Sequence, residues 1–521
     1  MKYIKKQDRT QTCLFPVSLD DSIDADNQVR LRDVFVDSLA LEDFGFHVDH
    51  GENGRPAYHP ADLLKLYIYG YMNKIRTSRG LEQECKRNIE VMWLLGNLRP
   101  DHNTISNFRQ DNPKAIKKVF RETVKIANYF NLIGGTLIAG DSTKFRAQNS
   151  KKNNFNKKKV TRHLAYIENK LKEYYQAPAR SEGDTRQIEQ EIERQKKRAD
   201  EYHQLENQFK ESGESQISTS DPDSRQMIVR NNITEVAYNV QTTVDEKNNL
   251  LIDYKVTNSN DVLAMGNMLQ RAKSILRTNQ FTALYDKGYH TGSEFKTAHD
   301  LNINTLVAIP NATTQAPDPA YNAENYTYIP EGDYYVCPQN QYLTTNGKWH
   351  KADGYYFKRY ATKACKTCMV KKQCSKTTRG KAIHRSEYQK YIEHNKEQVE
   401  LNKALYKQRQ AIVEHPFGTI KRQWGFSYIM TKKSIKRASG DVGLMMTAYN
   451  PRRIINILGI ERFRKFFEDR IALLFSKIAV WDRIWAHMLA FPEKIEYWKA
   501  RFMLHGKRLY LIHILPLSRS F

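Results

Sequence analysis

The stretch Gly134-Gly-Thr-Leu-Ile-Ala-Gly-Asp-Ser-Thr-Lys-Phe145 is a short apolar run that leads into one carboxylate, Asp141. A second run, Phe281-Thr-Ala-Leu-Tyr-Asp-Lys-Gly-Tyr-His290, ends in the same way at Asp286. Short apolar runs bounded by glycine and polar residues are typical of buried strands. The sequence therefore predicts two strands that each place an aspartate near a carboxyl end.

A third carboxylate lies in a helical segment, Ala411-Ile-Val-Glu-His-Pro-Phe-Gly-Thr-Ile-Lys421, which places Glu414 among apolar and basic residues. Lys421 follows about two helical turns later, so both side chains share one face of an ideal helix. Pro416 has no N–H and predicts a kink or a restart of the helix. A solvated glutamate on an amphipathic helix is the alternative interpretation of this segment.

Taken together, two aspartates at strand ends and one glutamate on a helix predict a site made only of oxygen ligands. Such ligands suit Mg²⁺ or Mn²⁺. Two of these ions about 3.5–4 Å apart can stabilise both the attacking and the leaving oxygen of a phosphodiester.

The three acidic motifs resemble the Asp-Asp-Glu (DDE) triad of bacterial insertion-sequence transposases with a ribonuclease-H-like core. Tyr406-Lys-Gln-Arg409 before Glu414, with Lys421 after it, resembles the Tyr-Arg-Glu-Lys signature of that family. One departure is the spacing, because four residues separate Arg409 from Glu414 where the family usually has three. The resemblance covers roughly residues 15–460.

The resemblance implies an α/β fold: a ribonuclease-H-like mixed sheet with flanking helices, an all-α N-terminal domain, a helical-hairpin insertion and a small cysteine-containing β insertion. The expected domains are 1–132 (helical, DNA-binding), 133–310 with 385–458 (catalytic core, helical insertion 157–212), 311–384 (cysteine insert) and 459–521 (basic, aromatic, helical extension).

The implied function is a transposase that binds the ends of an insertion sequence and uses two Mg²⁺ or Mn²⁺ ions for DNA cleavage and strand transfer. The implied partners are double-stranded DNA, as terminal inverted repeats and target, and a second copy in a homodimer that holds two ends. The residues expected to contact DNA near the acids are Tyr406, Arg409, Lys421 and Arg422. The alternatives are a transposase-derived nuclease without strand transfer and a non-catalytic DNA-binding protein.

The formal net charge of +25, from 83 basic and 58 acidic residues, indicates a polyanionic partner. A basic surface that is only solvated is the alternative. No apolar run reaches the ~20 residues needed to span a bilayer, and the start Met1-Lys-Tyr-Ile-Lys-Lys lacks a signal core. We expect a cytoplasmic, nucleoid-associated protein with no membrane partner.

The N-terminal region contains two helical patterns, near Leu81–Leu95 and from a cap at Asp101 to about Arg109, that are compatible with a helix-turn-helix. Asn103, Asn107 and Arg109 on the second helix are side-chain types able to reach base edges. An ordinary helical bundle with polar faces is the alternative.

The region after Asp141 predicts a hairpin of strands Val236–Thr243 and Leu250–Val256, then a helix capped at Asn260-Asp261. The Asp286 strand, a helix near Ser293–Leu301 and a last strand Thr305–Ile309 follow. This succession, three strands, helix, strand, helix, strand, is the ribonuclease-H-like order.

The insert between Asp286 and Glu414 contains a cysteine pattern that favours one structural Zn²⁺, because two thiols two residues apart chelate a metal and two more close a tetrahedral site. The cysteines are Cys337, Cys365, Cys368 and Cys374. Four free thiols are the alternative.

Overall fold

The computed structural model describes residues 18–48, 56–176, 182–230, 233–311 and 315–472. Within these ranges the fold is mixed α/β, with a central sheet, a smaller second sheet and many helices, which confirms the predicted class. Residues 460–472 are helical as predicted, and the rest of the C-terminal extension lies outside the described residues.

Helices precede the central sheet. They are Gln28–Asp37 (α1), Leu41–Phe44 (α2), Pro60–Met72 (α3), Ser78–Arg87 (α4), Ile89–Leu94 (α5), His102–Asp111 (α6) and Pro113–Tyr129 (α7). The single helix expected over Leu81–Leu95 is wrong, because Asn88 interrupts it. The Asn88 side chain accepts hydrogen bonds from the backbone N–H groups of Glu90 and Val91, so it caps a new helix instead of continuing the old one.

The central sheet contains the predicted strands and one more. Its strands are Leu137–Arg146 (β1), Arg225–Arg230 (β4), Ile233–Asp245 (β5), Leu251–Thr257 (β6), Thr282–Tyr285 (β7) and Asn304–Val307 (β8). Two short strands, Asn154–Phe155 (β2) and Ile217–Ser218 (β3), form a separate two-stranded sheet. β1 lies between β5, which is antiparallel to it, and β7, which is parallel, and β8 extends the parallel side. The far edge of β5 is shared by β4 and β6.

The predicted succession of strands and helices from Asp141 onward is confirmed. Strand β4, which the sequence did not indicate, is an addition along the first half of β5. Between β2 and β3 the chain forms two long helices, Lys157–Gln176 (α8) and Glu182–Ser212 (α9), that pack on each other around Val160, Leu205 and Phe209.

The remaining helices flank the sheet. They are Met265–Leu276 (α10), Gly292–Asp300 (α11), Lys371–Cys374 (α12), Gln389–Leu401 (α13), Lys403–Tyr406 (α14), Arg409–Phe417 (α15) and Ile435–Leu458 (α16), with a π-helical turn at Gly418–Gln423. The second sheet is formed by the insert, with strands Thr327–Ile329 (β9), Tyr334–Val336 (β10), Tyr342–Thr344 (β11), Trp349–Ala352 (β12), Tyr355–Ala361 (β13) and Ala382–Ser386 (β14). No helix of the described ranges is both long and apolar enough to cross a bilayer.

One hydrophobic core joins the N-terminal helices to β1, β5, β6 and α16. A buried polar cluster lies inside it, centred on Asp441 of α16, whose carboxylate is fully buried. Asp441 accepts hydrogen bonds from the Tyr71 hydroxyl and, at 2.9 Å, from Arg76 Nη2, and Arg109 Nη1 lies 3.5 Å away. These contacts connect α3 and α6 to α16 across the core.

The expectation that Arg109 reads DNA bases is wrong. Its residue surface is only 3 % exposed, and its guanidinium is directed inward to Tyr71, the carbonyl of Arg76 and Asp441. A buried carboxylate needs a cationic partner, and this requirement outweighs the exposure expected from its place on a polar helix.

Candidate active site

Asp141 lies in the middle of β1, the central strand, and its side chain is partly buried. The preceding residue is Gly140, and only glycine fits there because a Cβ atom would overlap the ring of Tyr285 on β7. This close packing holds β7 against β1 next to the carboxylate. The Asp141 Oδ1 atom accepts a hydrogen bond from the backbone N–H of Ser142 at 2.7 Å.

Asp286 follows directly after β7 and lies beside Asp141. The parallel pairing of β1 with β7 ends at Ala139 and Leu284, two residues before each aspartate. The charge of Asp286 raises the pKa of Asp141, so the two carboxylates are close enough to interact. The Asp286 side chain accepts a hydrogen bond from Gly288 N at 2.9 Å and thereby caps a short turn. One aspartate therefore lies within the central strand and the other directly after the strand parallel to it.

Arg409, the first residue of α15, supplies the cation nearest to Asp141, with Nη1 3.4 Å from Oδ2. Burial raises the pKa of Asp141 to about 6. The charge of Arg409 and the N–H of Ser142 work against this rise, while the charges of Asp286 and Asp261 add to it. Burial is therefore the main cause of the raised pKa, and the two neighbouring carboxylates make smaller contributions.

Asp261 is a neighbour of this site that the sequence placed only as a helix cap. The helix begins four residues later, at Met265, and the Asp261 carboxylate instead accepts hydrogen bonds from Asn239 at 2.7 Å and Gln241 at 2.6 Å. Lys144 Nζ lies 3.2 Å from it. Although burial works to raise the pKa of Asp261, Lys144 and the two amides hold it below its usual value. No local sequence signal distinguishes this role from a cap.

Glu414 lies on α15 and is exposed; its Oε1 accepts a hydrogen bond from Gln410 at 2.8 Å. The predicted disturbance at Pro416 takes a specific form, because α15 continues through Pro416 and then widens into the π-helical turn. Pro416 has no N–H for the carbonyl of Ile412, and the Asn249 amide lies 3.3 Å from that oxygen as a substitute donor.

The expected convergence of three acids is only partly found. The charge of Asp286 acts on Asp141, whereas Glu414 is not among the groups that most affect the pKa of Asp141. In the part of the chain that the structure describes, no group of three or more His, Cys, Asp or Glu side chains is arranged to hold a metal ion. The physical reason is that Glu414 lies more than one helical turn beyond Arg409, the residue of α15 that contacts Asp141.

The other signature residues lie around the pair of aspartates. The Tyr406 hydroxyl donates to the carbonyl of Tyr285 at 3.0 Å, immediately before Asp286. Lys421 Nζ contacts Thr143 Oγ1 at 2.9 Å and the carbonyl of Lys144 at 3.1 Å, two and three residues after Asp141. Burial and the charge of Lys144 lower the pKa of Lys421.

Three further predicted residues are accessible. Arg422 follows Lys421 and is exposed. Asn103 and Asn107 lie four residues apart on α6, so they share one helix face, and both are exposed. Of the residues of α6 assigned to DNA, these two remain available.

The four cysteines of the insert lie near one another and carry no disulfide. Burial raises the pKa of Cys365, and the sulfurs of Cys374, Cys337 and Cys368 add to the rise. The Tyr326 hydroxyl lies 3.1 Å from the sulfur of Cys374. The set has the chemistry of a zinc site, although its sulfurs are not in ligating positions.

Two family models match the chain. One is described as a transposase domain (DUF772) and matches residues 17–111, and the other, a transposase DDE domain, matches residues 336–455. Arg409, Glu414 and Lys421 lie inside the second match, whereas Asp141 and Asp286 lie outside both. A comparison with curated proteins finds no match.

Among solved structures, the pre-cleavage Mos1 transpososome is 13 % identical, with a TM-score of 0.15, over 52 % of this chain and 65 % of that chain. The piggyBac transposase synaptic complex with hairpin DNA is 9 % identical, with a TM-score of 0.27, over 86 % and 79 %. The Mos1 strand transfer complex is 14 % identical, with a TM-score of 0.14, over 52 % and 64 %. The chain spans less than two thirds of both Mos1 chains, and likenesses at these TM-scores carry no argument about fold.

Proposed function

We propose that this chain is a DDE transposase, as the matches to two transposase family models support, and that it binds the ends of an insertion sequence and catalyses metal-dependent DNA cleavage and strand transfer. The observation that carries the proposal is the pair Asp141 and Asp286 on adjacent parallel strands, with the raised pKa of Asp141. A partly buried carboxylate with a raised pKa beside a second carboxylate is a candidate ligand for a cation.

We assign Asp141, Asp286 and Glu414 as the ligands of two Mg²⁺ or Mn²⁺ ions. The donors fit hard divalent ions because they are oxygens and because Arg409 alone does not balance them. When bound, such ions favour the attacking hydroxyl in its ionised form and stabilise the leaving 3′-oxygen. Glu414 is exposed, so its side chain is free to leave Gln410 and turn toward the aspartates.

The other residues of the site orient it and hold phosphates. Tyr406 connects α14 to the end of β7, which fixes Asp286 relative to Arg409. Lys421 rests on β1 beside Asp141, at the position where a phosphate near the cut bond would lie. We assign Arg409, Lys421, Arg422 and Tyr406 to DNA contact for this reason.

We assign the central sheet to the ribonuclease-H-like class from its strand order, with domains as expected at 1–132, 133–310 with 385–458, 311–384 and 459–521. The exposed pair Asn103 and Asn107 is the proposed contact with terminal-repeat DNA. Because two DNA ends must be held together, the proposal includes a homodimer on DNA. It also includes a location at the nucleoid and one Zn²⁺ bound by the four cysteines.

The test is cleavage and joining of duplex DNA that carries the native ends, with Mg²⁺ or Mn²⁺. We expect Asp141→Asn, Asp286→Asn and Glu414→Gln each to abolish both activities. Asp300→Asn, which removes an exposed carboxylate paired with Lys296, is the matched control and should retain them. Full activity in Asp141→Asn would refute the assignment.

A non-catalytic DNA-binding protein is a second candidate, and the position of Glu414 favours it. An exposed glutamate outside contact with both aspartates is what a chain without cleavage activity would tolerate. Salt-sensitive binding of end DNA without cleavage in either metal would support this candidate over the first.

A further inference from the structure

A basic cleft lies along strand β6, an edge of the central sheet, away from the residues assigned above. It has a volume of about 500 Å³ and lies between α7, α10 and the start of α16. Its cationic lining residues are Lys114, Lys117, Lys118, Lys255, Arg271 and Lys436. Pro113, Val256 and Ile435 supply an apolar floor.

The cations at the back of the cleft share one carboxylate. Asp253 is fully buried and lies 2.5 Å from Arg271 Nε, 3.2 Å from Lys117 Nζ and 3.5 Å from Arg121 Nη2. One negative charge therefore faces several positive ones in a partly buried space. Burial lowers the pKa of Lys117 to about 8, and the charges of Arg271 and Arg121 add to this although Asp253 opposes it.

The cations at the front of the cleft have no acidic partner. Lys114, Lys118, Lys255 and Lys436 make no ion pair with any residue in the described ranges. Lys118 donates to the carbonyl of Asp43, and Lys255 to the amide oxygen of Asn267. This excess of positive charge suits a phosphate backbone, which presents a row of anions that a protein can contact without reading the base sequence.

The cleft and the proposed catalytic site lie on strands of the same sheet. Ser142, which follows Asp141, pairs with Gln241 of β5, and Gln241 pairs with Lys255 of β6. Two strand spacings separate Lys255 from β1, a distance of about 10 Å. Asp141 instead pairs with Thr242, so Lys255 and Asp141 lie on opposite faces of the sheet, and Gln241 between the strands is only 1 % exposed. The cleft is therefore a surface separate from the one at Asp141.

We propose that this β6 cleft binds the phosphate backbone of duplex DNA. The inference rests on the proposed function, because it takes duplex DNA as the substrate of this protein. It assigns the cleft lysines to duplex binding independently of the metal ligands.

The test compares Lys114→Gln/Lys255→Gln/Lys436→Gln with a control triple of the same charge on α9, Lys196→Gln/Lys197→Gln/Lys210→Gln. The control lysines are exposed and lie outside the cleft. Binding of end-containing duplex is measured by fluorescence anisotropy in EDTA over a range of salt concentrations, after thermal unfolding shows that both triples fold like wild type.

If each cleft lysine neutralises one phosphate, the slope of log K against log salt falls by about 2.7, and the affinity at about 0.1 M salt falls by up to roughly 500-fold. The control triple should keep the wild-type slope. Equal slopes for the two triples would overturn the inference.

A second arm titrates wild type with inorganic phosphate. Saturable phosphate binding that the cleft triple abolishes, with an unchanged DNA slope, would assign the cleft to a small anion and also overturn the inference. The two proposals fail separately. A reduced salt slope in the cleft triple, together with no DNA cleavage by wild type, would support the cleft assignment and refute the catalytic function. Cleavage by wild type, together with equal slopes for the two triples, would support the catalytic function and refute the cleft assignment.

Discussion

Replacement of Asp141 by Asn should stabilise the metal-free protein, because the ionised carboxylate destabilises the fold at neutral pH. The pKa of Asp141 is raised from 3.8 to about 6, chiefly by burial. Each pKa unit corresponds to 1.36 kcal/mol, so the ceiling on this cost is about 3 kcal/mol. The side chain is 23 % exposed, and solvent screening reduces the expected gain to roughly 1–2 kcal/mol.

The sign follows from proton binding. The folded protein holds the Asp141 proton more tightly than the unfolded chain does, so this group contributes stability that is present below its unfolded pKa and lost as pH rises through about 6. The variant should therefore be more stable than wild type at about pH 8, and the difference should shrink toward zero near about pH 4.

The assay is urea unfolding in EDTA at both pH values, followed by circular dichroism. Glu414→Gln is the matched control; its side chain is exposed, so its unfolding free energy should stay within about 0.5 kcal/mol of wild type. Addition of Mg²⁺ should stabilise wild type and leave Asp141→Asn unchanged. A variant no more stable than wild type at the higher pH, or a difference independent of pH, would refute the reasoning.

Three further predictions concern other parts of the chain. Asp441→Ala should destabilise the protein by about 3–5 kcal/mol, because it leaves Arg76 and Arg109 buried without an acidic partner; unfolding in urea measures this, and a loss below about 1 kcal/mol would contradict it. Arg409→Ala should raise the pKa of Asp141 further and shift the acidic limb of the pH profile of cleavage to higher pH, whereas Arg409→Lys, which keeps the charge, should not. An unchanged acidic limb in the alanine variant would show that the 3.4 Å contact does not set the pKa of Asp141. Wild type should contain one zinc per chain by elemental analysis, and Cys365→Ser should lose it together with thermal stability; a metal-free, equally stable wild type would indicate free thiols.

The local pattern of the chain was sufficient to predict most of the elements around the site. Short apolar runs predict β1 and β7 and locate Asp286 at the carboxyl end of β7. The expectation that Asp141 lies at a carboxyl end is wrong, because β1 continues past it to Arg146 as the partner of β5. Parallel pairing of β1 with β7 brings Asp141 and Asp286 close enough to interact. The missing N–H of Pro416 also predicts a disturbed helix from sequence alone.

Tertiary packing decided what no local pattern contains. The polar pattern of its helix predicts an exposed Arg109, but Arg109 is buried because it pairs with the buried carboxylate of Asp441, more than three hundred residues away in the sequence. Asp261 was turned toward Asn239 and Gln241 instead of capping its helix, and Glu414 was left outside the aspartate pair. The sequence by itself determined which elements form and which acids they carry; only the folded structure decided which charges meet, because Coulomb energy and burial depend on distances in space and not on spacing along the chain.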